Sequence, residues 1–394
     1  MLLSIVKKII NLLLLVCLVF LFAILFFVDL PLSSPLSNYN FTELLTVPKN
    51  TKKQIVYGFL PFWNLEQVNL QPELTDLSYF SLTLNADGSI KTREENYADP
   101  GFNKLSSDKF LSLQNYAIEH KINNQITISQ LNNTDIEEFI NSPTAQEKFY
   151  QELDSLFLAY PFNGVNIDIE YVGEASDELR EKYAEFIKNT QEYLQKKYSK
   201  ITLSIDVYAA AATKKMIWDI PKLQSSVDYM IVMAYDFYRS SSSQAGPVAP
   251  LFMKKNSWQE SIHLYLKDFA EKIPTKKIIL GIPFYGYEWQ TTTREPESFT
   301  YPKSGATASY SRIQELKARG SEINLQDGWD ETALEPYLTY SEDDKFFTIY
   351  YENEKSLKYK LDFVKQLDLG GIAIWSLGYE GNSRELWDVI KLNL

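Results

Sequence analysis

The sequence is 394 residues long, 45% of it is hydrophobic, and its formal net charge is −12. This acidic balance argues against a nucleic-acid partner, because binding to phosphates depends on lysine and arginine. The single cysteine, Cys17, and two histidines outside any ligand-spaced cluster argue against a metal site or a histidine-based triad. We therefore expect no metal and no cofactor.

An apolar, uncharged run at residues 9–28 opens the chain. About 20 apolar residues match the ~30 Å hydrocarbon core of a bilayer, and Lys7 and Lys8 before them predict a cytoplasmic N-terminus. We expect residues 1–30 to be an uncleaved transmembrane helix that anchors an extracytoplasmic domain at the cell surface. The alternative is a cleaved signal peptide and a secreted protein. Residues 31–50, which contain three prolines, predict a flexible linker.

Beyond residue 50, short β-branched or aromatic runs alternate with amphipathic stretches, as in parallel strands joined by crossover helices. Eight such runs predict an α/β fold, a closed (β/α)8 TIM barrel over residues 51–394. The predicted strands are residues 54–60, 77–84, 125–131, 165–170, 201–207, 229–235, 278–284 and 371–376. The predicted helices are residues 106–120, 143–160, 176–198, 258–271 and 355–367.

The connection between the seventh and eighth predicted strands is too long for a loop. It spans about 85 residues, whereas connections in compact domains are usually shorter than about 15. An inserted subdomain is therefore expected, and we assign it to residues 287–352.

A row of polar side chains ends the fourth predicted strand. Because side chains on a strand alternate between its faces, Asn166, Asp168 and Glu170 share one face and the intervening aliphatic residues share the other. The aliphatic face is expected to pack against helices, so the polar face points into the barrel, where the C-terminal ends of strands carry catalytic groups. A buried polar ladder or ion-pair network is the structural alternative.

Two carboxylates on one strand face also predict an unusual titration. They repel each other when both are ionised, which raises the pKa of at least one of them. A carboxyl group that keeps its proton near neutrality can protonate a glycosidic oxygen. Glu170, the last of the row, reaches farthest into the expected cleft and is the predicted proton donor.

The polar row resembles the Asp-x-x-Asp-x-Asp-x-Glu signature of glycoside hydrolase family 18, the chitinase family, with Asp168 and Glu170 at its last two acidic positions. Three further segments resemble family motifs in the same order along the chain, namely residues 233–236, 281–286 and 370–377. The resemblance extends over nearly all of residues 54–390. It implies that the insertion is a small α+β subdomain.

By that resemblance, catalysis is retaining and substrate-assisted, so the acetamido oxygen of the substrate attacks its own anomeric carbon. Glu170 would protonate the leaving oxygen and later deprotonate water, and Asp168 would hold the acetamido N–H. Tyr235 would donate a hydrogen bond to the acetamido carbonyl. Asp236 would bind the sugar, and Trp375 would form an apolar floor beneath it.

The sequence departs from the commonest family pattern at Asn163 and Asn166, where members often have aspartate. An acid at the second position can share a proton with Asp168, whereas an amide can only hydrogen-bond to it. Together with residues 246–250 and 285–289, Asn166 is similar to a bacterial branch that resembles spore-cortex peptidoglycan hydrolases, and we interpret it as a trait of that branch. The further candidate substrate contacts are Asn166, Tyr57 and Tyr285.

The resemblance implies hydrolysis of β-1,4 linkages next to N-acetylglucosamine, and it leaves chitin, peptidoglycan and other glycans of this sugar open as substrates. The alternative function is a non-catalytic, lectin-like surface protein that binds chitooligosaccharides or peptidoglycan, because fold alone does not fix function. Sugar binding without turnover would favour that alternative.

Overall fold

The computed structural model describes residues 54–253 and 260–394. The predicted anchor at residues 1–30 and the predicted linker at residues 31–50 lie outside the described residues, as does the start of the helix predicted at residues 258–271. Every helix within the two described ranges falls short of the length or the apolar character that a bilayer span requires.

Eight parallel strands close into a barrel, and their order around it is their order along the chain. Within the described residues the strands, in chain order, are β1 Ile55–Pro61, β2 Asp76–Thr83, β3 Arg93–Glu94, β4 Tyr97–Ala98, β5 Asn123–Gln130, β6 Gly164–Ile169, β7 Thr202–Tyr208, β8 Tyr229–Met233, β9 Ile278–Pro283, β10 Tyr285–Thr291, β11 Ala306–Ser309, β12 Gln326–Asp330, β13 Glu335–Glu342, β14 Lys345–Tyr350 and β15 Gly371–Trp375. The barrel consists of β1, β2, β5 to β9 and β15. The predicted closed barrel is confirmed, and the ends of its strands differ from the predicted ones by at most two residues.

The barrel strands are buried on both faces, because helices cover the outside and side chains fill the inside. All six residues of β6 and all six of β9 are buried. Burial on two faces gives strands that are nearly continuous apolar runs. A carboxyl group buried in such a strand is costly unless a partner binds it.

The α-helices in the described ranges are α1 Pro100–Lys104, α2 Asp108–Glu119, α3 Asn133–Ile140, α4 Pro143–Ala159, α5 Asp177–Lys197, α6 Ile220–Leu223, α7 Ile262–Ala270, α8 Tyr310–Arg319, α9 Glu354–Gln366 and α10 Glu385–Asn393. Their starts follow from side-chain caps. Ser142 and Ser176 accept backbone N–H groups at the first turns of α4 and α5, and Asn353 and Ser356 form a reciprocal capping box at the start of α9.

An antiparallel sheet of five strands lies between β9 and β15 in sequence, in the order β11-β10-β14-β13-β12, and α8 packs on it. The sequence predicted an insertion at residues 287–352, and the sheet begins two residues earlier, with β10. Only Phe284 separates β9 from β10. Its backbone N–H donates to Trp375 of the barrel at 2.8 Å, and its carbonyl accepts from Tyr310 of α8 at 3.1 Å. The first inserted strand therefore rises directly from the rim of the barrel.

A buried charged cluster joins the inserted sheet to the barrel. Lys360 of α9 lies 2.6 Å from Glu352, which follows β14, and both side chains are 0% exposed. Glu335, at the start of β13, accepts the backbone N–H groups of Val248 and Ala249 at 2.8 and 3.0 Å. The cluster thereby fixes the loop that follows β8.

Candidate active site

A cleft of about 360 Å³ opens at the C-terminal ends of the barrel strands. Charged and aromatic side chains from five barrel strands and from β10 line its wall. The predicted site residues that line it are Asp168, Glu170, Tyr235, Asp236, Tyr285 and Trp375. The structure thus brings together six residues whose first and last members lie more than 200 positions apart in the sequence.

Asp168 and Glu170 lie at the end of β6, as the alternation of its side chains predicts. Asp168 is buried within the strand, and Glu170 follows it as a half-buried residue whose backbone N–H donates to the Gln130 carbonyl at 3.0 Å. The aliphatic neighbours Ile167 and Ile169 are buried on the opposite face. The ladder between β5 and β6 therefore holds both carboxyl groups toward the cleft.

The surroundings of Glu170 favour its protonated form. Burial raises the pKa of this carboxyl group, and the negative charge of Asp236 raises it further. A hydrogen bond from the Tyr208 hydroxyl and the positive charge of Arg239 oppose the rise. The pKa nevertheless stays above its ordinary value, which is the direction that a general acid needs near neutrality.

Asp168 has a buried partner that the sequence analysis missed, Asp206 on β7. Both residues are 2% exposed, and a hydrogen bond joins their carboxyl groups. Burial raises the pKa of each well above its ordinary value. The available signal was Asp206 itself, the one acid in the sequence of β7, which alternation places on the same face as Ser204 and Tyr208.

Asn166 and Tyr57 lie beneath the cleft and do not line it. Both side chains are 0% exposed. The Tyr57 ring packs against those of Phe59 and Tyr229, with centroids 4.9 and 6.1 Å away. The prediction that these two residues contact a substrate is corrected, because each sits deeper along its strand than the residues at the strand ends.

The ring of Tyr235 packs against Gly281 of β9. A Cβ atom at Gly281 would lie 2.9 Å from Cε1 of Tyr235 and 2.6 Å from the Val232 carbonyl oxygen. Real Cβ atoms do not approach other atoms that closely, so only glycine at position 281 leaves room for the ring. The segment at residues 281–286 therefore supports the position of Tyr235 as well as forming a strand.

Asp236 is held in a left-handed backbone conformation, with φ 61°, immediately after Tyr235. Aspartate is one of the few residues with a side chain that tolerate this region. The hydroxyl groups of Tyr285 and Tyr287 both donate to Oδ1 of Asp236, the second at 3.0 Å. Two tyrosines of β10 thus orient the carboxylate, and Tyr287 is a second residue that the sequence analysis did not single out.

Trp375, the last residue of β15, is braced by other aromatic rings. Its ring centroid lies 4.6 Å from that of Phe80, 5.7 Å from that of Phe59 and 6.5 Å from that of Trp63, all in edge-type contacts. Trp63 is 48% exposed and lines the same cleft. Aromatic rings fixed in this way offer flat apolar surfaces to a ligand.

A family model and several related proteins resemble this chain over most of its length. The sequence model described as Glycosyl hydrolases family 18 matches residues 36–380. The chain is 28% identical over 289 residues to the uncharacterized glycosylase YvbX of Bacillus subtilis, over 70% of this chain and 76% of that protein. It is 23% identical over 324 residues to the cortical fragment-lytic enzyme of the same organism, over 80% of this chain and 68% of that enzyme.

Among solved structures, the chain is similar to a GH18 chitinase from Cycas revoluta in complex with (GlcNAc)3. The TM-score is 0.71 at 20% identity, and the match covers 86% of this chain and 99% of that one. At this identity the likeness bears on the fold alone.

Proposed function

The chain belongs to glycosyl hydrolases family 18, and on that premise we propose that it hydrolyses β-1,4 linkages next to N-acetylglucosamine with retention of configuration. The observation that carries this proposal is the pair of carboxyl groups of Asp168 and Glu170, which line one open cleft at the C-terminal end of β6. A carboxyl group with a raised pKa beside a second acid is the arrangement that glycoside hydrolysis requires.

In the proposed reaction, the acetamido oxygen of the substrate attacks its own anomeric carbon while the bond from that carbon to the glycosidic oxygen breaks. Glu170 gives its proton to the leaving oxygen. Water then attacks the anomeric carbon, opens the cyclic intermediate and returns a proton to Glu170. Two inversions at one carbon give net retention, and the enzyme ends in its starting protonation state.

The groups around the acetamido arm supply the electrostatics. Asp168 would accept a hydrogen bond from the acetamido N–H and stabilise the positive charge that develops on the ring formed by the attack. Tyr235 would donate a hydrogen bond to the acetamido oxygen. Fixed dipoles and charges act strongly in a cleft with little water, because they need not reorganise during the reaction.

The remaining wall would bind the sugar itself. Asp236, oriented by Tyr285 and Tyr287, offers a carboxylate oxygen to sugar hydroxyl groups. The rings of Trp375 and Trp63 offer apolar surface to the faces of pyranose rings.

Chitin-type and peptidoglycan glycans are both candidate substrates. The Cycas revoluta chitinase holds (GlcNAc)3, and a Bacillus subtilis relative is named for lysis of cortical fragments. Both glycans carry the acetamido group that the proposed chemistry uses. A lectin-like role is not favoured, because Asp168 and Glu170 both line the cleft.

The test is digestion of chitooligosaccharides and of peptidoglycan by the full-length chain, with products identified by mass spectrometry and their anomeric configuration by NMR. We expect Glu170→Gln to lose about 10²- to 10⁴-fold in kcat, the usual contribution of a general acid. Glu174→Gln is the matched control, since this exposed glutamate in the same loop lies outside the cleft wall. Activity of Glu170→Gln close to that of Glu174→Gln would overturn the assignment, and sugar binding by a wild-type protein that hydrolyses neither glycan would favour the lectin-like role.

We further propose that the apolar run at residues 9–28 anchors the enzyme in the membrane with the cleft outside the cytoplasm. Fractionation of cells that express the full-length chain tests this. Recovery of the intact chain in a membrane pellet that resists alkaline extraction is expected, whereas a shortened chain in the medium would show that the leader is cleaved.

A further inference from the structure

The structure offers a partner for Asp168 on the neighbouring strand. In the ladder between β6 and β7, Asn166 pairs with Ser204 and Ile167 with Ile205. One alternation farther along each strand, Asp168 and Asp206 come level on the inward face. The Nδ2 group of Asn166 donates to Ser204 Oγ at 3.0 Å and to Asp206 Oδ1 at 2.9 Å.

We propose that Asp206 is the proton-sharing partner of Asp168, so that the acid which the strand of Asp168 lacks at position 166 is supplied by β7. This inference rests on the proposed hydrolase function for its mechanistic meaning. It assigns Asp206 as a positioning residue, since it acts on the substrate through Asp168.

The groups around the pair leave one proton to be shared. Asp206 faces Asp168, Glu170 and the Asn166 amide on β6. Three buried tyrosines from other elements lie within its electrostatic influence, namely Tyr57, Tyr183 and Tyr235. None of these groups is a cation. Two buried carboxyl groups in contact cannot both ionise cheaply, so the pair retains one proton and one negative charge.

Asn166 determines which of the two carboxyl groups carries the proton before a substrate binds. Its amide donates to Asp206 and so favours the ionised form of Asp206, which lowers the pKa of that group against the effect of burial. The proton is then carried by Asp168, which donates to Asp206. Asn166 therefore has a defined role although it does not reach the cleft.

Substrate binding would move the proton. The acetamido N–H needs an acceptor, so the proton passes from the Asp168 carboxyl oxygen to the Asp206 carboxyl oxygen, and the pair keeps a single negative charge throughout. Asp168 then presents a carboxylate to the N–H and to the positive charge that develops at the anomeric carbon and acetamido group. After the product leaves, the proton returns to Asp168, and no other reactant is consumed.

The functional test is Asp206→Asn together with the exchange variant Asn166→Asp/Asp206→Asn. The single variant keeps the shape of the side chain but removes the proton acceptor, so kcat should fall on the order of 10- to 100-fold with little change in KM and an altered pH profile. The exchange variant returns an acid to the other side of Asp168 and should recover a large part of the loss. Asp206→Asn with wild-type kcat and pH profile, or an exchange variant no better than the single one, would overturn the proposal.

Asp76→Asn is the matched control for loss of a buried aspartate. Asp76 begins β2, is 3% exposed, and accepts from Gln125 Nε2 at 2.9 Å. It does not line the cleft. This variant should lose stability, measured by its unfolding midpoint, while the pH profile of kcat stays that of the wild type. A profile altered as much as in Asp206→Asn would show that the change reflects damage to the barrel and would overturn the proposal.

Infrared spectroscopy tests the shared proton without any substrate. With carbon-13 at the aspartate carboxyl groups, the band of a protonated aspartic acid separates from those of the glutamic acids. We expect such a band in the wild type at neutral pH. As pH rises, the band should disappear at a lower pH in Asp206→Asn than in the wild type, because the charge of Asp206 and its hydrogen bond both raise the pKa of Asp168. An identical titration in both proteins would overturn the proposal. The infrared titration tests the shared proton even if the protein cleaves no tested glycan. Absence of cleavage would count against the hydrolase function and not against the shared proton.

Discussion

Replacing Lys360 with methionine should destabilise the fold by several kcal/mol. Nζ of Lys360 lies 2.6 Å from Glu352 Oε2 in a fully buried pair. At that separation the attraction is about 6 kcal/mol for an effective dielectric constant of about 20, and it offsets the cost of removing both charges from water. Methionine fills a similar volume but leaves Glu352 buried without its counter-charge, which costs about 3–5 kcal/mol.

The loss should also depend on pH, with a definite sign. Burial raises the pKa of Glu335 to about 8; the positive charge of Lys360 opposes this rise and the negative charge of Glu352 adds to it. Burial likewise raises the pKa of Glu352. The folded pKa values lie above those of the unfolded chain, so the folded state binds more protons, and stability falls as pH rises from the unfolded value through the folded one. Removal of Lys360 raises both pKa values further. The penalty should therefore be smaller at pH 5 than at pH 8.

Urea unfolding of the full-length protein at pH 5 and pH 8, followed by tryptophan fluorescence, measures this effect through the midpoint and the slope. Lys358→Met is the matched control on the same helix. Its Nζ also lies 2.6 Å from a carboxylate, that of Asp362, but the two side chains are 59% and 29% exposed. A change of about 0.5 kcal/mol or less is expected there. A Lys360→Met protein within about 1 kcal/mol of the wild type at pH 8 would refute the reasoning.

Two further predictions concern the cleft. Arg239→Gln removes a positive charge that lowers the pKa of Glu170, so the acid stays protonated to higher pH and the basic limb of the pH profile of kcat/KM should move upward; a limb that stays in place or moves down would contradict the role of Glu170 as acid. Trp375→Ala removes an aromatic ring from the cleft wall. It should weaken calorimetric binding of (GlcNAc)3 about 10- to 100-fold, the effect of losing the burial of one large apolar side chain, with Trp375→Phe in between. Equal affinity in all three proteins would show that the ring is not a sugar platform.

The barrel was predictable because its strands are buried on two faces. Segments such as β9, in which every residue is buried, leave a short apolar run in the sequence. Helix starts were predictable from caps such as Ser142 followed by Pro143. The exact start of β5 and the exact end of β8 were less predictable, because the ends of a strand depend on which residues its neighbours pair with.

The cleft was predictable only where one strand carries the pattern. Asp168 and Glu170 follow from alternation along β6, but Asp206 gains its meaning from the register between β6 and β7, which no single segment reveals. Tyr287 donates to Asp236 only because the fold places β10 beside the loop that follows β8. The depth of Tyr57 was misjudged for a related reason, since a position near a strand end does not give its height in the barrel.

The junction at Phe284 has a mechanical meaning. One residue separates β9 from β10, and hydrogen bonds join its backbone to β15 and to α8, so we expect little movement of β10 relative to the barrel rim. On the proposed hydrolase function, we therefore expect this wall to keep its shape when a glycan binds. Changes at Tyr285 or Tyr287 should therefore alter preference through the shape and chemistry of the replaced side chain, and swapping these two positions among relatives offers a direct way to retune the wall.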